Sequence, residues 1–459
     1  MNVLIYDGSQ ADDPRAPQVQ RALLAELRAR GWQAETIILR ERRIGNCAGD
    51  FFCWVRSPGE CNTNDDNRVL AAKMMRADLL VYLTPVTFGG YASALKRMVD
   101  HQIQNVAPFF TTIGGEIHHQ KRYARYPDLL TIGWQPAPNA RAEAVFGRLA
   151  QRNGLNMHAR TVVSGVVAAD ANEPEVAGRV RAWLDAIASG TSSAVPALPE
   201  AGLACRGAVN APARVVEAGQ SGRGADTPPA QAERVVLLVG SPRTKKSTSA
   251  ALGGYLLEQM AARGAATETI QLYTAFGSAA RAQAALAAVG AADLVVLAFP
   301  LYVDSLPAPV IAALERIASG RPGRSGQARF AAIANCGFPE AAHNATALAI
   351  CAEFARQAGF AWAGGLALGG GEGLVHGASL AELGGRALHI RQALDLAAAA
   401  LVDGQPIPPE AANLLGRAII PNWLYVLFGR FGWQAQAKHF GAEKKMRRQP
   451  YAAAGRQAP

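Results

Sequence analysis

The fold is decided by two stretches that align without a gap, Asp78-Leu-Leu-Val-Tyr-Leu-Thr-Pro85 and Asp293-Leu-Val-Val-Leu-Ala-Phe-Pro300. Each is a short apolar run, which is typical of a strand buried on both faces of a parallel sheet. Each is followed by a turn and a predicted helix, over 92–100 in the first half and 308–318 in the second. A similarity of this length predicts a duplicated domain rather than a short structural repeat.

The sequence around both stretches alternates between short apolar segments and amphipathic segments. In the first half, strands are predicted at 3–6, 34–39, 78–83, 108–113 and 161–167, and the second half restarts with a strand at 235–239. This alternation predicts a parallel sheet covered by helices on both faces. We therefore predict an α/β protein of two tandem doubly wound domains that resemble flavodoxin, each with a five-stranded parallel sheet flanked by helices.

Composition divides the chain into four parts. We predict a first domain with a cysteine-containing insertion at 1–189, a flexible linker rich in Ser, Ala, Pro and Gly at 190–232, and a second domain at 233–415. An aromatic and basic extension follows at 416–459. We interpret its aromatic residues as an amphipathic helix packed on a domain or a partner, in preference to membrane binding. The basic run at 444–448 is interpreted as a solvated tail.

The overall composition excludes several classes of protein. Half of the residues are hydrophobic and 18% are charged, which indicates a globular chain, and the 459 residues are enough for two or three domains. The net charge of +10 suits an anionic ligand and does not by itself indicate nucleic acid. No apolar run is long enough to span a bilayer, and the first residues form no leader, so we expect a cytoplasmic protein. Six cysteines in such a protein favour thiol or metal chemistry over disulfides.

A candidate anion site follows the first strand of the second half, at Gly240-Ser-Pro-Arg-Thr-Lys-Lys-Ser-Thr-Ser249. Three hydroxyl residues lie at the predicted helix start, where free N–H groups and the helix dipole favour an anion. The loop also carries three cations, Arg243, Lys245 and Lys246. The spacing of a Walker loop is absent, which disfavours ATP and GTP. The alternative is an ordinary capped helix after a surface turn.

This loop resembles that of the NADPH-dependent FMN reductases, flavodoxin-like proteins in which it holds the FMN phosphate. Two further stretches resemble the family's flavin-contacting loops, namely 299–306, with Pro and an aromatic residue after the third strand, and 335–339 after the fourth. The resemblance implies phosphate contacts from Ser241, Pro242, Arg243, Ser247, Thr248 and Ser249. It implies ring contacts from Pro300, Leu301, Tyr302, Val303 and Asp304, with further contacts from Asn335 and Gly337.

The first half resembles the same family less completely. A second ring loop is predicted from Pro85, Val86, Thr87, Phe88, Gly89 and Gly90, and 112–115 is the expected strand-four contact. The loop at 7–15 lacks the hydroxyl cluster, and its Asp12 and Asp13 would repel a phosphate dianion. We therefore predict tight FMN binding in the second domain. The first domain either binds flavin differently or contributes its ring loop to a shared site.

Three cysteines fall within fifteen residues of the first half, at Cys47, Cys53 and Cys61. Their spacing resembles that of the iron–sulfur flavoproteins, with Asp50 where the second cysteine of that pattern would stand. Three thiolates and Asp50 as a fourth ligand would hold an iron–sulfur cluster, although four thiolates are usual. Zinc, redox-active thiols, or cysteines that simply pack a loop are the alternatives.

Taken with the resemblance, these features predict an FMN-dependent NAD(P)H oxidoreductase in which hydride passes from the nicotinamide to the flavin ring, with an unidentified electron acceptor. No catalytic side chain is assigned, because the cofactor carries the difficult chemistry. We also expect a homo-oligomer with no nucleic-acid partner. Two alternatives remain: an electron carrier with a cluster and without its own NAD(P)H site, and a scaffold that has lost its flavin. No nucleophile elbow supports a hydrolase.

Overall fold

A computed structural model of the chain describes residues 1–452 except 169, 200–231, 245, 322, 324–327, 376 and 419. Most of the predicted linker, 190–232, therefore lies outside the described residues, as does Lys245 of the candidate anion loop. The residues described at 190–199 are irregular.

The first domain is built from eight strands and six helices among the described residues. The elements are β1 Asn2–Asp7, α1 Ala16–Ala29, β2 Gln33–Ile38, α2 Phe52–Val55, α3 Asn67–Arg76, β3 Leu79–Thr87, β4 Gly90–Tyr91, α4 Ser93–Asp100, β5 Val106–Ile113, β6 Glu116–Lys121, β7 Asp128–Gln135, α5 Ala140–Asn156, β8 Val162–Ala168 and α6 Glu173–Ser189.

Five parallel strands form the main sheet of this domain, in the order β2-β1-β3-β7-β8, and β4 pairs antiparallel with the end of β3. The order 2-1-3-4-5 of the parallel strands is that of flavodoxin-like folds. Strands β1 and β7 are buried along almost their whole lengths, and β3 over its first six residues, because helices cover both faces of the sheet.

One strand assignment from the sequence is wrong. The apolar run at 108–113 was expected in the parallel sheet, but it belongs to β5, which pairs antiparallel with β6 in a separate two-stranded sheet. The fourth strand of the parallel sheet is β7, so 112–115 is not the loop that follows it. Both runs are short and apolar, and periodicity alone does not tell a sheet strand from a hairpin strand.

The second domain repeats the same topology. Its elements are β9 Arg234–Val239, α7 Thr248–Ala261, β10 Ala266–Gln271, α8 Leu272–Ala275, α9 Ala279–Ala291, β11 Leu294–Pro300, α10 Ala308–Ser319, β12 Arg329–Asn335, α11 Ala345–Gln357, β13 Ala361–Leu368, α12 Gly371–Leu374, α13 Leu388–Val402 and α14 Pro409–Leu415. The sheet order is β10-β9-β11-β12-β13, all parallel. The chain thus contains the two flavodoxin-like α/β domains that the repeat predicted.

Equivalent helices of the two domains pack on each other, α4 on α10 and α5 on α11. Each of α4 and α10 receives a carboxylate from the other at its first turn. Glu315 of α10 accepts from the backbone N–H of Ser93 at 3.0 Å and from its hydroxyl at 2.7 Å, and Asp100 of α4 accepts from the backbone N–H of Ala308 at 2.8 Å. Negative charge stabilises a helix N-terminus. The two domains therefore form an intramolecular pair with approximate two-fold symmetry.

The C-terminal extension forms α15, Asn422–His439, which packs against β5 and α2 of the first domain. Helix α15 approaches β5 so closely at Gly429 that a Cβ atom there would lie 2.4 Å from the ring of Phe110. The ring of Trp433 packs edge-on against Trp54 at 5.2 Å between centroids. Among the helices of the described residues, none is long and apolar enough to cross a membrane.

Candidate functional site

A cavity of about 1340 Å³ lies at the carboxyl ends of the second domain's strands. The loops after β9, β11, β12 and β13 line one side, which is where doubly wound sheets bind their ligands. Residues of the first domain and of α15 line the rest. Ligand pockets commonly measure about 300–1,000 Å³, so this cavity has room for more than one molecule of moderate size.

The start of α7 forms one end of the cavity and includes the hydroxyl residues singled out from the sequence. Ser247 is the N-cap, since its hydroxyl oxygen accepts from the N–H of Ala250 at 3.1 Å. The hydroxyl of Thr248 donates to the carbonyl of Gly371 at 3.2 Å, and that of Ser249 accepts from Asn335 at 2.9 Å. The three hydroxyls thus fix the shape of the loop. The first N–H groups of α7 have no acceptor within the helix and are suited to an anion.

Arg243 of this loop lines the cavity. Its guanidinium pairs with Glu372 and donates to the carbonyl of Gly49 at 2.8 Å, so it joins the second domain to the cysteine segment of the first. Ser241 also lines the cavity, whereas Pro242 is not among the lining residues and Lys246 is exposed. Of the two cations of this loop that the structure describes, Arg243 is thus the one at the cavity, and the first domain holds it in place.

All five residues of the predicted ring loop line the cavity, namely Pro300, Leu301, Tyr302, Val303 and Asp304. Val303 and Asp304 have φ values of 46° and 57°, a strained region for residues other than glycine. Reciprocal backbone hydrogen bonds between Tyr302 and Ser305 close the turn. Such strain is often found at ligand sites, where the surrounding structure must hold the loop.

The first domain holds this loop. Lys96, which is completely buried and paired with Asp100, donates to the carbonyl of Tyr302 at 2.8 Å. The side-chain amide of Asn153 donates to the carbonyl of Val303 at 3.1 Å. Arg152 donates from Nε to the carboxylate of Asp304 at 3.2 Å. The ring loop's conformation therefore depends on contacts that the second domain alone does not supply.

The loop after β12 completes the set predicted from the sequence. Asn335 and Gly337 both line the cavity. The amide of Asn335 donates to the hydroxyl of Ser249 at 2.9 Å and to the carbonyl of Phe299 at 3.0 Å. One buried side chain thus connects the ends of three loops: the anion loop, the ring loop and its own.

Sequence reasoning missed an aromatic wall of the cavity, which the first domain, α15 and the loop after β12 form together. The ring of His119 lies 4.5 Å from that of Trp54, 5.2 Å from that of Phe110 and 5.1 Å from that of Phe338, measured between centroids. Burial lowers the pKa of His119 to about 3, so this imidazole is neutral and part of an apolar surface. From α15, Tyr425 and Trp433 extend the wall. The aromatic runs at 51–54 and 423–433 were visible in the sequence, but no spacing connected them to the second domain.

The ring loop of the first domain lies elsewhere. None of its residues Pro85, Val86, Thr87, Phe88, Gly89 and Gly90 lines this cavity. Phe88 has a φ of 54°, much like Val303, but its ring is buried edge-on against Phe354 of α11, 5.1 Å between centroids. The loop is thus packed into the interface between the domains, and it does not come together with the second domain's loops around this cavity.

The anion position of the first domain is taken by a side chain of the protein itself. The carboxylate of Asp13 accepts from the N–H of Ala16, the first residue of α1, at 3.0 Å, and from that of Arg15 at 2.9 Å. Its other oxygen accepts from the indole of Trp134 at 2.8 Å. A carboxylate fixed at this helix start repels a phosphate from the equivalent position.

The three cysteines of the first half have different surroundings. Cys47 lines the cavity, and burial raises the pKa of its thiol to about 12. Cys53 is buried, which raises the pKa of that thiol as well. Burial also acts on Cys61, but its hydrogen bond with His101, 3.6 Å from Sγ to Nδ1, leaves the thiol with a lowered pKa. Within the described part of the chain, neither these residues with Asp50 nor any others form a group of three or more ligands placed to hold a metal ion.

The chemistry of the cavity suits FMN, which the resemblance implies. The start of α7 offers N–H donors for a phosphate, and Arg243 offers a guanidinium that is also paired with Glu372. The apolar residues of the ring loop and Tyr302 offer a surface for a planar ring. The loop after β12 lies beside them, and a Cβ atom at Gly337 would meet no other atom within 4 Å.

The strand order of both parallel sheets places the chain in the flavodoxin-like class of α/β proteins. A family model described as NADPH-dependent FMN reductase matches residues 1–121 and 234–350, more than half of the chain. The chain belongs to this family.

Individual relatives cover smaller parts of the chain. An iron-sulfur flavoprotein of Methanocaldococcus jannaschii is 29% identical over 100 residues, 22% of this chain and 51% of that protein. An iron-sulfur flavoprotein of Archaeoglobus fulgidus is 33% identical over 75 residues, 16% of this chain and 36% of that protein. The chain thus spans about half the length, or less, of these relatives. An NAD(P)H:quinone oxidoreductase structure from Methanothermobacter marburgensis is 14% identical, with a TM-score of 0.33, over 40% of this chain and 96% of that one.

Proposed function

We propose that this protein is an FMN-dependent NAD(P)H oxidoreductase with one flavin site per chain, in the second domain. The observation that carries the proposal is the convergence of three predicted loops, including Ser247, Tyr302 and Asn335, on one cavity. Bound FMN would accept hydride from NAD(P)H and pass electrons to an acceptor. The first domain, in this proposal, holds no flavin of its own.

The residues of this chain then have separate tasks. The start of α7 and Arg243 bind the phosphate, and residues 300–304 support the ring. Lys96 and Arg152, from the first domain, keep that ring loop in its strained conformation. No side chain is required to transfer a proton, which agrees with the apolar character of the aromatic wall.

The size and lining of the cavity support a second planar molecule beside the flavin. Trp54, Phe338 and Trp433 line the cavity, and aromatic faces stack on planar rings. We propose that NAD(P)H and the acceptor occupy this space in turn. All five described cysteines are free thiols, which supports a reducing compartment and therefore the cytoplasm.

A substitution at the helix start tests the phosphate site. Asp is as good an N-cap as Ser, so Ser247→Asp preserves the cap of α7 while it adds a negative charge. Two unit charges about 4 Å apart repel by about 4 kcal/mol at an effective dielectric constant of about 20. We expect the FMN dissociation constant to rise by about 10²–10³-fold.

The matched control is Ser278→Asp. Ser278 is likewise an N-cap, of α9, with a hydroxyl that accepts from Arg281, and it does not line the cavity. Titration of the apoprotein with FMN, followed by flavin fluorescence, measures affinity and stoichiometry. An unchanged affinity in Ser247→Asp, an equal loss in the control, or two flavins per chain would contradict the proposal.

The relatives named iron-sulfur flavoproteins favour one alternative, an electron carrier with a cluster. Iron and acid-labile sulfide measured in protein purified without oxygen distinguish the two functions. Iron-free protein that oxidises NAD(P)H supports the oxidoreductase. Stoichiometric iron together with failure to oxidise NAD(P)H supports the carrier.

A further inference from the structure

Helix α15 has apolar side chains on two opposite faces. One face lines the cavity through Tyr425, Gly429 and Trp433. The other carries Trp423, Leu427 and Phe431, which lie four residues apart and so form one stripe along the helix. Their exposed fractions are 69%, 42% and 59%. Single exposed apolar residues are common, but a row of three that includes Trp and Phe marks an interaction surface.

Positive charge accompanies this stripe. With 3.6 residues per turn, Arg430 and Lys438 project from the same side of α15 as the stripe, and both are exposed. The helix contains no acidic residue. In the sequence as a whole, residues 416–459 contain eight Lys and Arg residues and a single acid, Glu443, so they carry seven of the ten net positive charges.

A fixed basic cluster follows the helix, formed by Lys444, Lys445, Arg447 and Arg448 around a cavity of about 530 Å³. It is held in place by the first domain: Arg122 donates to the carbonyls of Met446 at 3.0 Å and Arg448 at 2.8 Å. The side chain of Met446 is buried beneath it. The basic run is therefore an ordered part of the surface, and its four charged side chains are exposed to solvent.

We propose that the exposed face of α15 and the basic cluster dock on an anionic lipid bilayer surface. Apolar side chains that include Trp and Phe, next to Lys and Arg and without acidic residues, are the features of a helix that lies in the membrane interface. A second copy of the chain is a poorer occupant, because pairing like faces would bring the positive charges of both copies together. An anionic lipid surface is complementary to both the apolar stripe and the charge.

This surface lies on the reverse of the helix face that lines the cavity. Docking would therefore place the aromatic wall close to the lipid, separated from it by the thickness of one helix, about 10 Å. The inference does not rest on the proposed function, since it concerns only the outer face of α15 and the basic cluster. Its test requires no electron acceptor.

Vesicle sedimentation with the full-length protein tests the proposal without any substitution. We expect binding to vesicles of equal parts phosphatidylglycerol and phosphatidylcholine, and at least tenfold weaker binding to vesicles of phosphatidylcholine alone. Lipid-surface attraction is about 1 kcal/mol per nearby Lys or Arg, about fivefold in affinity, and it is screened by salt. Equal binding to both vesicle types, or no binding at low salt, would overturn the proposal.

Substitutions then locate the surface. Trp423→Ser, Leu427→Ser and Phe431→Ser combined should reduce vesicle binding by at least a hundredfold, because burial of each side chain in lipid contributes roughly tenfold. The matched control combines Val69→Ser and Leu396→Ser, which alter exposed apolar residues elsewhere. The control should bind vesicles like the unaltered protein, and far-UV circular dichroism with a urea unfolding curve checks that both variants are folded.

Size-exclusion chromatography of the same proteins separates the remaining possibilities. If the triple variant converts a dimer to a monomer and neither protein binds vesicles, the face is an interface between copies and the proposal is wrong. If the unaltered protein binds polyglutamate but not anionic vesicles, the partner is an acidic protein and the proposal is again wrong.

Discussion

Arg152 provides the sharpest test of how the first domain controls the candidate site. It lies on α5, is largely buried, and contacts Asp304 of the ring loop, Glu116 of β6 and His343 of the second domain. Asp304 is only 2% exposed. At the observed 3.2 Å and an effective dielectric constant of about 20, the attraction between Arg152 and Asp304 is about 5 kcal/mol before desolvation.

Arg152→Met removes one partner of this buried pair and leaves the carboxylate of Asp304 without its cation. Loss of one partner of a buried ion pair costs about 3–5 kcal/mol. Asp304→Asn removes the other charge while it preserves the backbone, since Asn tolerates a positive φ better than most residues. In the double variant no charge at residue 304 is left buried, so we expect about 2–3 kcal/mol of the loss to be recovered.

The assay is a double-mutant cycle of the free energy of unfolding, measured in urea and repeated for FMN affinity. The expected coupling energy is about 2–3 kcal/mol, since residues in one ion-pair network do not act additively. FMN affinity should fall in Arg152→Met, because the strained ring loop loses its support. Additive effects, with a coupling below about 0.5 kcal/mol, would refute the reasoning, as would unchanged flavin affinity in both single variants.

Three further predictions follow from contacts of single residues. Hydrogen bonding to His118 and the ion pair with Arg152 hold the pKa of Glu116 well below its ordinary value, so the contribution of this carboxylate to stability is present above about pH 4.5 and is lost as the pH falls. The urea midpoint of Glu116→Gln should therefore vary less with pH on the acid side than that of the unaltered protein. Parallel plots of urea midpoint against pH for the two proteins would contradict this. Gly49→Ala places a Cβ atom 1.8 Å from the hydroxyl of Tyr302 and should weaken FMN binding by at least tenfold. The control Gly114→Ala has a similar positive φ and open space around its Cβ, so it should change only the free energy of unfolding, by about 1 kcal/mol. Equal FMN affinities in the two variants would contradict a role for the contact between residue 49 and Tyr302 in flavin binding. Cys61 should react with iodoacetamide faster than the other described cysteines, as measured by peptide mass spectrometry, because its thiol has a lowered pKa. His101→Gln should slow the reaction of Cys61 by several-fold. An unchanged rate in this variant would show that the imidazole does not lower the pKa of the thiol.

Much of the fold was predictable because it depends on local pattern. The buried strands β3 and β11 are continuous apolar runs, and such runs predict parallel strands whatever their surroundings. The run that became β5 has the same local character, and only its pairing with β6 distinguishes it. Pairing depends on residues distant in sequence, so this one assignment failed where the others succeeded.

The candidate site divides in the same way. The second-domain loops were found because each follows a strand, and the carboxyl ends of parallel strands meet at one edge of a sheet. The aromatic wall was not found, because Trp54, His119 and Trp433 come from three separate regions of the chain. Sequence reasoning identified the acidic residues of the first domain's loop, but not that Asp13 itself takes the position of an anion at α1.

The sequence by itself determined the duplicated α/β architecture and the unequal chemistry of the two halves, because strand periodicity and loop composition are local properties. The tertiary structure decided which of the two ring loops lines a cavity and which is buried between the domains. Asp100 and Glu315 cap each other's helices across the domain interface, and this packing buries the ring loop of the first domain while it supports that of the second. Tertiary packing also decided which face of α15 is covered. Such outcomes depend on long-range contacts, and no local stretch of sequence contains them.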